Sequence, residues 1–205
     1  MSTQKIGWGE KLPGAGDMFL TLKNKGDKVQ FRIAQEPVHT GKHFTLVDGK
    51  WDVTTCPRVM ENEECETCNK YFTIAAKIKK LKAADKTLDD DSKEIKALKE
   101  EARPFQAAIQ WHFPVLDRED GKFKILQTTN GVRNKFNALF EQGVEVMETE
   151  WVLSNTGSKS PAERYLLSAV DSKNVKPFTP EEEAEWAKAQ GYDLSHIAQG
   201  QGEEE

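Results

Sequence analysis

The chain has 205 residues, of which 37% are hydrophobic and 31% charged, with a net charge of −5. That length supports one ordinary domain with its own core plus tails, and the composition is polar without being that of a disordered chain. No run approaches the roughly 18 apolar residues of a membrane span, and the N-terminal stretch MSTQKIGWGEKLPGAGD lacks an apolar leader, so a cytoplasmic protein with reduced thiols and no membrane partner is expected.

Residues 1–18 are rich in Gly, Lys and Pro and read as an arm. KVQFRIAQ, residues 28–35, alternates with Val29, Phe31 and Ile33 on one face, a strand signal. HFTLV, 43–47, is a second strand; Asp48-Gly49 makes a turn and 50–53 returns, which predicts a hairpin. Ile74, Ile78 and Leu81, then Ile95, Leu98 and Ala102, fall at helical spacing, with a break and N-cap at Asp89-Asp90-Asp91-Ser92. The spacing predicts a charged helical pair from about 70 to 103. Strand signal resumes over 105–116 and 122–129, around the turn DREDG. Val132, Phe136, Leu139 and Phe140 mark the apolar stripe of a helix opened by Asn130 and closed by Gly143. Residues 144–153 and 164–170 read as the last strands. Thr179-Pro180-Glu181-Glu182 has the form of a capping box, so a short helix is expected in the tail, ahead of the low-complexity, mobile end AQGQGEEE.

These elements predict a mainly β, α+β fold: a five-stranded barrel of the OB type spanning 19–176, with one helix before its last strand pair. A small metal-binding subdomain at about 43–72 and the helical insertion at about 70–103 interrupt it. From Pro177 onward eight acids stand against one lysine, a net −7, which leaves +2 on residues 1–176. A net negative chain argues by itself against nucleic-acid binding; a basic body followed by an acidic tail over 177–205 does not.

All three cysteines lie within HFTLVDGKWDVTTCPRVMENEECETC, spaced His43-x12-Cys56-x8-Cys65-x2-Cys68. An odd cysteine count is poor material for a disulfide framework, and the polar setting MENEECETCN would make a poor core for free thiols. Three thiolates and an imidazole complete a tetrahedral zinc shell; with four protein ligands no position is left for water, so one structural zinc is expected. His39 shares the strand parity of His43 and is the rival fourth ligand. A zinc deaminase would need H-x-E and P-C-x-x-C. Neither is present, nor is a nucleophile elbow or P-loop, so no enzyme is expected.

Aromatic residues sit close to bases along the predicted strands, the mixture that single-stranded nucleic acid requires: flat faces for bases and cations for phosphates. The stacking candidates are Phe44, Trp51, Trp111, Phe123 and Tyr165. The phosphate candidates are Arg32, Lys42, Lys50, Lys122, Lys124, Arg133, Lys135 and Arg164.

The order and spacing of His43, Cys56, Cys65 and Cys68, the strand blocks on either side and the acidic C-terminus resemble the single-stranded DNA-binding, helix-destabilising proteins of T-even-like bacteriophages. That resemblance covers roughly residues 25–175 in architecture, with the cysteine–histidine set its specific part. It implies His43 as the fourth ligand, an OB barrel with a zinc subdomain, and a basic, aromatic-lined cleft between them. It also implies an acidic tail, ending in Glu203, Glu204 and Glu205, that binds replication and recombination proteins and competes with DNA. The family's basic N-terminal arm is not evident, since Lys5 and Lys11 are the bases of residues 1–11.

The expected function is sequence-nonspecific binding of single-stranded DNA in replication, recombination and repair. The protein would act as a monomer or with weak self-association on DNA, in the host cytoplasm if viral. The alternatives are a zinc-ribbon adaptor between proteins of a replication or transcription complex, and an RNA-binding barrel, since stacking and phosphate contacts do not by themselves separate RNA from DNA.

Overall fold

A computed structural model describes residues 18–47, 50–160 and 163–198. Its elements are, in chain order, β1 (Phe19–Leu20), β2 (Lys28–Ile33), β3 (Val38–Val47), β4 (Lys50–Thr55), α1 (Pro57–Met60), α2 (Glu66–Ala84), α3 (Lys93–Ala102), β5 (Ala108–Asp117), β6 (Phe123–Thr129), α4 (Asn130–Glu141), β7 (Glu150–Asn155), β8 (Tyr165–Ala169), α5 (Pro180–Gly191) and α6 (Ser195–Ala198). The fold is α+β with a mostly sheet core, as expected. No helix among the described residues is long and apolar enough to cross a membrane.

The chain divides into two compact units. Of the described residues, the first takes those up to Val38 and those within Trp111–Leu194; the second takes those within His39–Gln110 and 195–198.

The first unit is built on a sheet in the order β1-β6-β5-β2-β7-β8. β2 lies antiparallel to both neighbours, with Ile33 opposite Val115 of β5 and Phe31 opposite Trp151 of β7. The alternation read in the sequence is the reason: Val29, Phe31 and Ile33 are all buried, and one face of β2 therefore fixes the register of its partners. α4 closes over that face through Val132 and Phe136. The Phe136 ring packs 5.4 Å from Phe113 and edge-on to Trp151 at 5.2 Å, the offset geometries aromatic quadrupoles favour.

Three expectations shift here. Among the described residues no pairing joins the end strands β1 and β8, so the sheet is open and a closed five-stranded barrel is not what the pairing gives. β7 begins at Glu150 rather than 144. Val144 and Val146 pack on the core from a turn, with the Val146 carbonyl accepting the Trp151 indole N–H at 2.8 Å, and apolar turn residues of this kind imitate a strand. Phe140 is not core but 69% exposed. At 3.6 residues per turn, Leu139 returns to within about 20° of Val132 while Phe140 lies about 80° away.

The helix expected in the C-terminal segment forms as α5 with both capping-box bonds: Glu182 N–H donates to Thr179 Oγ1 at 3.2 Å and Thr179 N–H to Glu182 Oε2 at 2.8 Å. It is fastened into the first unit. Arg118, with 6% of its side chain exposed, meets Glu150 at 3.0 Å and Glu182 at 2.6 Å, and its guanidinium lies 4.8 Å from the Phe178 ring. Gln35 donates to the carbonyls of Ala189 and Tyr192, and Phe123 packs on Tyr192 at 4.9 Å. Gly121, with φ +70°, allows the close approach, since a Cβ there would lie 3.1 Å from Glu182 Cγ. The expected arm 1–18 apart from Met18, the turn 48–49 and Glu203–Glu205 lie outside the described residues.

In the second unit β3 and β4 form the expected hairpin, with His43 opposite Thr54 and Phe44 opposite Val53. β3 starts at Val38, five residues before the expected strand, and runs through Gly41, which interrupts the apolar pattern in the sequence. A Cβ at Gly41 would fall 2.4 Å from Val59 Cβ, so glycine is what lets α1 pack on the strand. α2 and α3 are the expected helical pair. Asp90 ties them together, bonded to Lys82 at 2.6 Å and Lys99 at 2.7 Å, and those hydrogen bonds hold its carboxyl down at about 2.

Replacing Arg118 by Ala leaves the 1%-exposed Glu150 carboxylate without its guanidinium. Urea unfolding is expected to show a loss of about 3–5 kcal/mol; a loss under 1 kcal/mol would mean the ion pairs do not fasten α5.

Candidate metal centre

The hairpin and two helix starts converge on one point. His43 projects from the face of β3 opposite to Phe44. Cys56 stands just past β4 at the N-cap of α1, its N–H donating to the Gly41 carbonyl at 2.8 Å, and Pro57 sets the first helical residue. Cys65 is the N-cap of α2 and Cys68 lies in its first turn. The C-x2-C spacing therefore delivers two sulfurs from a single turn.

All four residues are buried, and their donor atoms lie within 4.8 Å of one another. Cys56 Sγ is 3.4 Å from Cys68 Sγ, and His43 Nε2 is 3.3 Å from Cys65 Sγ and 3.6 Å from Cys68 Sγ. A tetrahedral ion about 2.3 Å from each sulfur keeps its sulfurs about 3.8 Å apart, so the set fits one ion. The group can hold a metal. The choice left open between the two histidines falls to His43: His39 Nε2 lies 3.2 Å from the Val59 carbonyl, and His39 is not in the donor group.

The thiols are poorly placed without a cation. Burial pushes the Cys68 thiol up, and its contacts with Cys56 and Cys65 push it further, to about 12. Burial also works against the Cys65 thiolate, but hydrogen bonds from Cys68, Cys56 and the Thr67 backbone outweigh it and bring Cys65 below the usual thiol range. One sulfur ionises at the expense of another, the behaviour of like charges sharing a site. A bound cation reverses this by stabilising each thiolate through direct attraction. Burial lowers His43, which favours the neutral imidazole a metal takes as ligand.

Neighbouring side chains brace the two helix starts. Arg58 of α1 donates to Asn69 Oδ1 at 2.8 Å and lies 4.9 Å from the Phe72 ring of α2, while Asn69 donates to Glu64 at 3.0 Å. Nothing in the spacing of ligands announced this clamp.

The proposed nucleic-acid contacts divide. Phe44 is 45% exposed, and Lys122 and Arg164 are exposed. Lys42 and Lys135 are half-buried. Trp111 is partly buried, its indole N–H donating to Asn130 Oδ1 at 2.6 Å with the Arg133 guanidinium 5.1 Å from its ring. Tyr165 is a correction: it belongs to the core, its hydroxyl donating to the Leu22 carbonyl at 3.3 Å, and it has no face for a base. Arg32 and Lys124 are committed elsewhere. Arg32 donates to the Met147 carbonyl and packs against the Phe178 and Trp186 rings; Lys124 bonds Asp117 and Asp120, both at 2.7 Å. Phe123 is half-buried under Tyr192. The side chains of Lys50 and Trp51 lie outside what is described, although their backbones pair in β4.

No protein-family model matches the chain, and no curated protein sequence matches it.

His43→Ala and Cys65→Ser are expected to abolish the binding of one divalent ion per chain, followed as the cobalt(II) charge-transfer and d–d absorption, while His39→Ala retains it. Acidification should release the ion, because thiolate ligands take up protons as it leaves. Equal loss in the His39 and His43 variants would contradict the assigned fourth ligand.

Proposed function

We propose that the protein binds single-stranded DNA without strong sequence preference, and that the ion held by His43, Cys56, Cys65 and Cys68 is a structural zinc. The observation that carries this reading is the convergence of those four residues, in the order on which the resemblance to phage helix-destabilising proteins rests. The donor chemistry supports zinc, since a Cys3His set is a closed tetrahedral shell with no place for substrate.

The sheet supports an OB-type reading at the level of strand order. β2 pairs with β5 and β7, β6 lies beside β5, β8 beside β7, and α4 falls between β6 and β7. A partly open five-stranded barrel would follow this strand path; among the described residues β6 does not pair with β8. Phosphate contacts are assigned to Lys122, Arg164, Lys135 and Lys42, whose side chains are exposed or half-buried. Stacking falls to Phe44 and to Trp111, whose ring already carries one guanidinium. Binding traps strands that open transiently, so duplex is destabilised by mass action. The acidic end recruits replication and recombination proteins and competes with DNA. Because Glu182 of α5 is bonded to buried Arg118, competition is assigned to Glu203–Glu205, and a cut at 177 would remove a packed helix along with them.

Titration with oligo(dT), followed by tryptophan fluorescence, is expected to show quenching. Neutralising three or four phosphates implies an affinity about 20–50-fold lower at 200 mM than at 50 mM salt. Chelation should weaken binding through local unfolding, and truncation after residue 198 should tighten it at low salt. A flat titration at low salt from metal-loaded protein would sink the reading.

A further inference from the structure

A pocket of about 280 Å³ opens in the first unit beside α4. That is slightly below the volume of drug-sized ligand sites and suits one large side chain. Its walls are apolar, from Ile33, Phe113, Phe136 and Val146, and two of the exposed large hydrophobics, Phe140 and Met147 (39% exposed), line it as well. It is held ready: the Met147 carbonyl accepts from Arg32, the Val146 carbonyl from Trp151, and the Glu145 carbonyl from the backbone of Thr149. Its charge is acidic. Glu36 and Glu145 line it and are exposed. Residues 137–148 add Glu141 and Glu148, both exposed, and contain no lysine or arginine. Arg133 also lines the pocket, but its guanidinium is laid over Trp111 and its Nε is buried.

We propose that this pocket docks a cationic peptide segment of another protein, seating one tryptophan, phenylalanine or leucine side chain between Phe140 and Met147, with flanking lysines or arginines meeting Glu36 and Glu145. Phosphate is disfavoured by those carboxylates, which sets this surface apart from a DNA contact, and the inference does not rest on DNA binding. A buried aromatic anchor ringed by complementary charge is the arrangement that concentrates binding energy in few residues, and methionine adapts its shape to differing anchors.

The test uses the full chain and a short dye-labelled peptide with one tryptophan flanked by lysines, read by fluorescence anisotropy. Changing the peptide tryptophan to alanine should weaken binding by about tenfold or more, as should Phe140→Ala; at 69% exposure Phe140 can be truncated without opening the core. Glu145→Lys should weaken the lysine peptide and favour one flanked by glutamates. Insensitivity to the anchor or to Phe140→Ala overturns the proposal. So does displacement of the peptide by oligo(dT) together with loss of oligo(dT) binding in Phe140→Ala, which would make this a base pocket. Self-association that Phe140→Ala abolishes while the peptide has no effect would assign the face to a second copy and overturn it equally.

Discussion

Three sulfurs and an imidazole buried within 4.8 Å of one another are the constraint on which the second unit depends. Thiols this close resist joint ionisation, and as neutral groups they would be a poor substitute for aliphatic packing. Among the described residues, the partly buried hydrophobics packed against the buried cysteine cluster are Val59 and Ala107. Other buried apolar side chains of the unit, Ile95, Leu98 and Ala102, lie on α3 and are not part of that cluster. A divalent cation held by the four donors would convert the crowding into attraction, and its binding energy would count as folding energy. Gly41, the N-cap position of Cys56, the C-x2-C turn and the Arg58–Asn69–Glu64 chain all act to bring four donors to one point.

The first unit rests on different chemistry. Its core is conventional, a sheet face with Phe136 wedged against Phe113 and Trp151, but α5 is held by charge. Arg118 bridges Glu150 and Glu182 with almost none of its side chain in water. A buried pair of this kind adds little net stability over apolar packing, yet losing one partner is costly, so it acts as a register pin more than a source of stability. The acidic composition of the C-terminal segment therefore has two parts: carboxylates that fasten a helix, and carboxylates beyond it that carry net charge.

Much of this was legible from the sequence, for reasons that can be named. Period-two alternation in 28–33 gave β2 because one face is fully buried. The capping box at Thr179 is local chemistry that needs no tertiary context. The candidate donor set followed from residue type and spacing, the resemblance implied His43 as its fourth member, and the structure groups His43 rather than His39 with the cysteines. What escaped was tertiary in origin. Phe140 reads as core by residue type yet lies off the axis of the apolar stripe. Tyr165 sits beside a base, as a stacking residue would, but strand pairing turned it inward onto the Leu22 carbonyl. The long-range partners of Arg118, 32 and 64 residues away in sequence, leave no local pattern at all.

The distinction between cations that hold the fold and cations that face solvent changes how the surface charge is to be read. Counting bases along strands makes Arg32 and Lys124 equivalent to Lys122 and Arg164, although the first two are bound to carbonyls, rings or carboxylates and the others are exposed. A phosphate competing for Lys124 would have to displace Asp117, 2% exposed, and leave a bare carboxylate behind it. Surface cations carry no such penalty. A polyanion bound to this protein is therefore held by fewer charges than its sequence counts, and its salt dependence measures that smaller number directly.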